Sequence, residues 1–161
     1  MDRVVILGRG AAGKSALAHE LGITAGLPVI ELDKEFWSDD LKPLPAEDWA
    51  RQQSILAERA CWIMDGDLGP YDHIEPRIRR ADTVVVLDMP LWLCAWRAWR
   101  RGPERRDFWD WTVRWRRQSR PRLLRAVSDL APRAEVVILR SPRSVRRWLV
   151  AVGIRAGVRD T

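Results

Sequence analysis

Five short runs rich in Val, Ile and Leu punctuate the chain, at residues 3–7, 28–32, 61–64, 83–87 and 135–139. None alternates apolar with polar positions, so each reads as a strand covered on both faces. A helix-compatible stretch follows each run, and this βαβα succession predicts an α/β domain of three layers built on a five-stranded parallel sheet. Two irregular segments interrupt the pattern, at 34–45 and 100–107. Both are expected at the carboxyl ends of strands, where loops of parallel sheets carry function.

Two aromatic stripes stand out among the helical segments. Trp92, Trp96 and Trp99 recur at i, i+4 and i+7, and Phe108, Trp111 and Trp115 at i, i+3 and i+7, so each set shares one helix face. The simpler expectation is that the two faces pack on each other beside the 100–107 segment. The sharper one is a stacking platform for an aromatic acceptor or nucleobase. The ten tryptophans of this chain exceed what a core of its size needs.

Length and composition narrow the class. The 161 residues make one domain, 1–161, large enough for its own core. With 47% apolar and 31% charged residues the chain is neither disordered nor fibrous. Its longest apolar stretch, 89–96, is far short of the roughly 20 residues of a spanning helix, and the expected compartment is the cytoplasm. Cys61 and Cys94 lie in apolar runs without metal or redox spacing and are expected to be reduced core residues.

Charge is divided unevenly along the chain. Residues 1–96 hold 10 Lys+Arg against 16 Asp+Glu, whereas residues 97–147 hold 16 Arg against 5 acids. The basic segment predicts an anionic ligand, either a nucleotide or a nucleic acid.

The most specific motif is Gly8-Arg9-Gly10-Ala11-Ala12-Gly13-Lys14-Ser15, with Ala16 next, placed directly between the first strand and the first helix. Small residues let backbone N–H groups wrap a phosphate, and the helix N-terminus adds partial positive charge. Lys14 is expected on the β and γ phosphates and Ser15 on Mg²⁺. Three acids close strands on the same edge. Asp65 is the candidate for holding Mg²⁺ directly or through water, Asp33 for accepting a proton from an acceptor hydroxyl, and Asp88 for capping the helix after it.

With these residues placed, the chain resembles the adenylate-kinase-like P-loop kinases known as topology modulation proteins. The likeness runs in order through the 8–15 loop, Gly26-Leu27-Pro28-Val29-Ile30-Glu31-Leu32-Asp33 with Phe36-Trp37, Trp62-Ile63-Met64-Asp65-Gly66, and Ala81-Asp82-Thr83-Val84-Val85-Val86-Leu87-Asp88-Met89-Pro90. It continues through residues 92–97, Arg120-Pro121-Arg122-Leu123-Leu124 and Leu139-Arg140-Ser141-Pro142-Arg143. The resemblance implies the P-loop NTPase fold in its nucleoside monophosphate kinase-like form, with ATP and Mg²⁺ as ligands and a lid at 100–107. It further implies an acceptor site around Asp33 and Asp65-Gly66, an acceptor anion on Arg77, and adenine against Arg140, Pro142 and Arg143. This chain departs from the family at Asp67-Leu68, where Asn-Tyr is usual, and in its short lid. The Asp-Gly-Phe-Pro-Arg signature of adenylate kinases is broken after Gly66, which argues against adenylate kinase activity.

Phosphoryl transfer also draws on arginines that reach the transferring group, an effect of about 10³ to 10⁵ in rate. Arg101, Arg105 and Arg117 are the candidates, with Arg114, Arg117 and Arg120 expected at helical spacing on one helix. Trp37, just past Asp33, is the expected aromatic contact of the acceptor, and neither His19 nor His73 stands in a catalytic arrangement. The leading expectation is a kinase acting on a nucleotide or on a small hydroxylated molecule. A nucleoside monophosphate would need cationic clamps and no base, and an alcohol would need a base such as Asp33. The alternatives are a nucleic-acid-binding or regulatory ATP-binding protein and a non-catalytic nucleotide sensor.

Overall fold

The computed structural model describes residues 1–36, 44–67, 72–104 and 106–159. Its strands are β1 (Arg3–Gly8), β2 (Val29–Glu31), β3 (Trp62–Asp65), β4 (Thr83–Leu87) and β5 (Glu135–Leu139), all parallel, in the order β2-β3-β1-β4-β5. The helices are α1 (Lys14–Ala25), α2 (Leu32–Phe36), α3 (Ala46–Ala57), α4 (Glu75–Arg80), α5 (Leu91–Arg101), α6 (Arg106–Arg114), α7 (Ser119–Leu130) and α8 (Pro142–Arg159). Three expected strands shift at their ends, β1 by running one residue further, to Gly8. β2 begins after Pro28, which has no N–H for the ladder, and Leu32 already starts α2. β3 begins after Cys61 and ends on Asp65, which pairs with Ile6 and Glu31. Asp65 is thus the last residue of a central strand and not a loop acid behind it.

Side-chain alternation along β1 divides the core. Val5 and Leu7 enter a cluster with Trp49, Trp62, Met64, Ile78, Trp115 and Leu123, so α3, α4 and α7 cover one face. Val4 and Ile6 enter a second cluster with Leu17, Leu21, Cys94, Leu149 and Val152, so α1, α5 and α8 cover the other. The three layers follow from this division. Cys94 is buried and Cys61 half-buried, and both are free thiols.

The tryptophan stripe of α5 does not pack on α6. The helix buries Cys94 and Ala98, one turn apart, so the opposite face turns outward and leaves Trp92, Trp96 and Trp99 at 71%, 49% and 75% exposure. Trp115 is fully buried instead. The arginine repeat expected on one helix is broken as well, because α6 stops at Arg114 and α7 starts at Ser119. Since α5 extends through Arg101 and α6 starts at Arg106, the segment between the two helices is only residues 102–105. Among the described residues no helix is long and apolar enough to cross a membrane.

Candidate active site

The phosphate loop leaves β1 and enters α1 through backbone that few side chains tolerate. Gly13, the residue before the helix, has φ 96°, and Ala11 has φ 56°, a left-handed conformation unusual for a residue with a Cβ. No side chain caps α1, so its first N–H groups keep a free, partially positive end suited to an anion. Lys14 folds over the loop, its Nζ donating to the carbonyls of Gly8 (3.0 Å) and Arg9 (3.3 Å). Arg97 of α5 donates from Nη1 to the Ala12 carbonyl at 2.8 Å.

Asp65 closes β3 beside this loop. The Ser15 hydroxyl lies beside its carboxylate, whose buried Oδ1 has no partner among the described residues. Burial raises the Asp65 carboxyl above its ordinary value, opposed by the neighbouring Ser15 hydroxyl and the Lys14 charge. Asp33, in the first turn of α2, is raised in the same direction, first by burial and then by Asp72 and Glu31, while Lys14 and Arg101 oppose. The fold thus gathers Lys14, Ser15, Asp33, Asp65 and Arg101 into one electrostatic neighbourhood. An orphaned carboxylate oxygen beside a serine hydroxyl suits Mg²⁺, a hard cation that takes its other ligands from phosphates and water. Among the described residues no cluster of three or more His, Cys, Asp or Glu could hold a metal unaided.

Gly66 follows Asp65 at φ 151°, where a Cβ would lie 2.9 Å from that of Leu32, so only glycine lets α2 approach this closely. Its carbonyl accepts from Arg77 at 3.3 Å. Arg77 differs from expectation. It is fully buried and forked onto Asp72, at 2.8 Å and 2.6 Å, with a further bond to Gln53. The guanidinium expected to receive an acceptor anion is already neutralised by a carboxylate.

Asp88 also differs from expectation. α5 starts at Leu91, after Pro90, without a side-chain cap, and the Asp88 carboxylate, nearly buried just past β4, collects Arg116 (3.0 Å), Arg120 (3.3 Å) and Arg140 (3.9 Å). Arg116 lies in the turn between α6 and α7 and Arg120 in the first turn of α7, and a periodic reading of that segment conceals them. Arg117 is exposed, and Arg101 pairs with Glu104 while lying 5.9 Å from the Phe108 ring. Pro142 and Arg143, at the start of α8, are exposed, and Ser141 and Ser144 cap that start reciprocally. Arg105 and Trp37 lie outside the described residues.

Three contacts close α6 and the turn after it onto the phosphate loop. Arg9, buried within the loop, lies 5.4 Å from the Trp115 ring, whose Nε1 donates to Asp67 at 3.1 Å. Burial pulls the Arg9 guanidinium down from its ordinary value, with Cys94 and Asp88 opposing. Gly10 touches α6 directly, for a Cβ there would lie 2.3 Å from the Phe108 ring and 2.7 Å from Thr112 Oγ1. Gly10 is therefore needed for the approach of a helix, a reason that the loop motif alone does not supply.

No family model matches this sequence, and no curated protein matches it significantly. Solved structures match along nearly its whole length. A sugar kinase from Janibacter sp. HTCC2649 is 20% identical at a TM-score of 0.57, covering 97% of this chain and 92% of the other. A gluconokinase from Sinorhizobium meliloti 1021 is 17% identical at 0.59, covering 99% and 98%. Shikimate kinase from Acinetobacter baumannii, solved with shikimate, is 14% identical at 0.63, covering 94% and 90%. Together with the all-parallel sheet and the loop between β1 and α1, these likenesses identify the fold of this chain as that of the P-loop kinases.

Proposed function

We propose that this chain is an ATP- and Mg²⁺-dependent phosphotransferase whose acceptor is a hydroxyl of a small molecule. The observation that carries this reading is the grouping of Lys14, Ser15, Asp33 and Asp65 at one sheet edge, with the Asp33 and Asp65 carboxyls both raised. ATP supplies the phosphoryl group, and Mg²⁺ the charge that offsets its oxygens. Lys14 and the N–H groups of residues 8–16 hold the phosphates, Ser15 and Asp65 hold the cation, and Arg140, Pro142 and Arg143 border the adenine. Asp33 takes the proton of the attacking hydroxyl, a role that a raised carboxyl performs better than an ordinary one. Asp33, Trp37, Asp65 and Gly66 line the acceptor, and Arg101, Arg105 and Arg117 are the arginines assigned to the transferring group.

The state of Arg77 favours an alcohol over a nucleotide acceptor. A phosphate acceptor needs free cationic clamps, whereas this guanidinium is buried against Asp72. The fold-level neighbours, a sugar kinase, a gluconokinase and a shikimate kinase, support the same choice. The name of the topology modulation proteins describes a phenotype and names no substrate. The reading is tested by ADP release from Mg·ATP with sugars, polyols, hydroxy acids, aminoglycosides and nucleoside monophosphates, with Lys14→Ala as control. Release that depends on a hydroxylated acceptor and is lost in the control is the expected result. Failure of the wild-type protein to bind Mg·ATP would overturn the reading.

The exposed α5 face supports a second reading, nucleic-acid binding. Trp92, Trp96 and Trp99 stand outward, with the Arg100 guanidinium 5.0 Å from the Trp96 ring. Binding of single-stranded DNA that weakens steeply with salt would favour it, and salt-independent or absent binding would remove it.

A further inference from the structure

We infer that Thr112 of α6 is a phosphate ligand, its hydroxyl donating to the γ-phosphoryl group held over Gly10. The inference deepens the phosphotransferase reading and rests on it. Thr112 is fully buried, and its Oγ1 has no hydrogen-bond partner among the described residues. A helical threonine ordinarily bonds its hydroxyl to a carbonyl three or four residues back, so this one forgoes a partner within its own helix. A buried hydroxyl left unbonded is unfavourable, which makes the position hard to explain by packing alone.

Its place in the fold names the missing partner. A Cβ on Gly10 would fall 2.7 Å from Thr112 Oγ1, so the hydroxyl touches the phosphate loop itself. Lys14, whose ammonium serves the β and γ phosphates in loops of this kind, lies on the carbonyls of Gly8 and Arg9, the two residues before Gly10. The loop residues under Thr112 are therefore those at the β–γ end of the phosphate chain. A second buried donor without a partner, Arg9 Nε, lies in the same loop. Both are donors, as an anion requires. Phe108 seals the contact from the side, for its ring would lie 2.3 Å from the same Cβ.

The test compares Mg²⁺ complexes of ADP and of a non-hydrolysable ATP analogue by calorimetry on the wild type, Thr112→Val and Thr112→Ser. Valine keeps the shape and removes the hydroxyl. A hydrogen bond to a charged group corresponds to a loss of about tenfold or more in affinity. Thr112→Val is expected to lose about that much for the ATP analogue and under twofold for ADP, with Thr112→Ser near wild type. Its melting temperature without nucleotide should be unchanged or higher, because an unbonded buried hydroxyl has gone. Equal losses for both nucleotides, no loss for either, or a lowered melting temperature with unchanged discrimination would overturn the assignment and make Thr112 a packing residue. A wild-type protein that binds neither nucleotide would overturn the phosphotransferase reading, and this assignment with it.

Discussion

Arg97 Nη1 bonds the carbonyl of Ala12 at 2.8 Å, joining the middle of α5 to the phosphate loop 85 residues earlier in the chain. The same nitrogen would stand 3.1 Å from a Cβ on Gly13, so the guanidinium lies along the loop just where it turns into α1. Arg97→Ala should therefore loosen the loop without opening the core. The expected result is Mg·ATP affinity lower by about tenfold, as for loss of one charge-assisted hydrogen bond, with Arg97→Lys only partly restoring it. Titration calorimetry on both variants checks this, and unchanged affinity in Arg97→Ala would reduce the contact to a surface bond.

The Arg77–Asp72 pair is expected to behave as structure. Both side chains are buried, and removing one partner of such a pair leaves an uncompensated charge, at a cost of about 3–5 kcal/mol. Denaturant unfolding of Arg77→Met and Asp72→Asn should show that loss in each, and the double variant should recover part of it. Were Arg77 instead an acceptor clamp, Arg77→Met would leave stability intact and weaken acceptor binding alone.

Much of this fold is legible in the sequence, because strands buried on both faces leave unbroken apolar runs. Residues 83–87 and 135–139 match β4 and β5 in full, and the loop at 8–15 announces itself by glycine spacing. The relations that sequence conceals are those set by tertiary approach. Nothing in local pattern says that Asp88 gathers three arginines from two distant segments, or that Gly10 is small because Phe108 and Thr112 lie on it. Helical periodicity misleads at residues 115–118, where the chain turns, and it cannot say which face of α5 meets the core. Burial of Cys94 and Ala98 decides that, and so exposes the tryptophans.

Gly10→Ala tests the closure of α6. The added Cβ would press on the Phe108 ring at 2.3 Å, and overpacking of this kind costs about 1–3 kcal/mol. Pairing it with Phe108→Ala should recover part of the loss, a positive coupling that separates steric relief from damage to the loop. Thermal melts of the two single variants and the double variant measure it, and strictly additive losses would mean that α6 does not rest on Gly10.

Asp65 gives the protein a signed pH dependence. Because its folded carboxyl is raised, the stability it contributes is present below the ordinary carboxylate value and lost as pH rises through the raised one. Asp65→Asn should therefore gain on the wild type as pH increases from 4 toward 8, by about 2–4 °C for each 1 kcal/mol in a chain of this size. Mg²⁺ with nucleotide needs the ionised carboxylate, so the stabilisation they give the wild type should grow over the same interval and be reduced in the variant. A difference between the two proteins that stays flat with pH, with and without Mg²⁺, would show that Asp65 does not titrate in this way.

Asp33 distinguishes the kinds of acceptor. It lies in the first turn of α2 near Lys14 and Arg101, and burial and the neighbouring acids raise its carboxyl in the direction of a useful base. If the acceptor is a hydroxyl, Asp33→Asn should slow the chemical step by about 10² to 10⁴ while Mg·ATP affinity stays near wild type, because the amide takes no proton. Raising pH should increase the wild-type rate as the carboxyl ionises, and the variant should lack that rise. If the acceptor were a nucleotide phosphate, its oxygen would already be ionised, and the change would act on acceptor affinity with little effect on turnover at saturation. Single-turnover rates and acceptor saturation curves separate the two. A variant equal to wild type in rate, pH profile and acceptor affinity would leave Asp33 a helix acid with no part in the chemistry, and the site would then rest on the phosphate loop and Asp65.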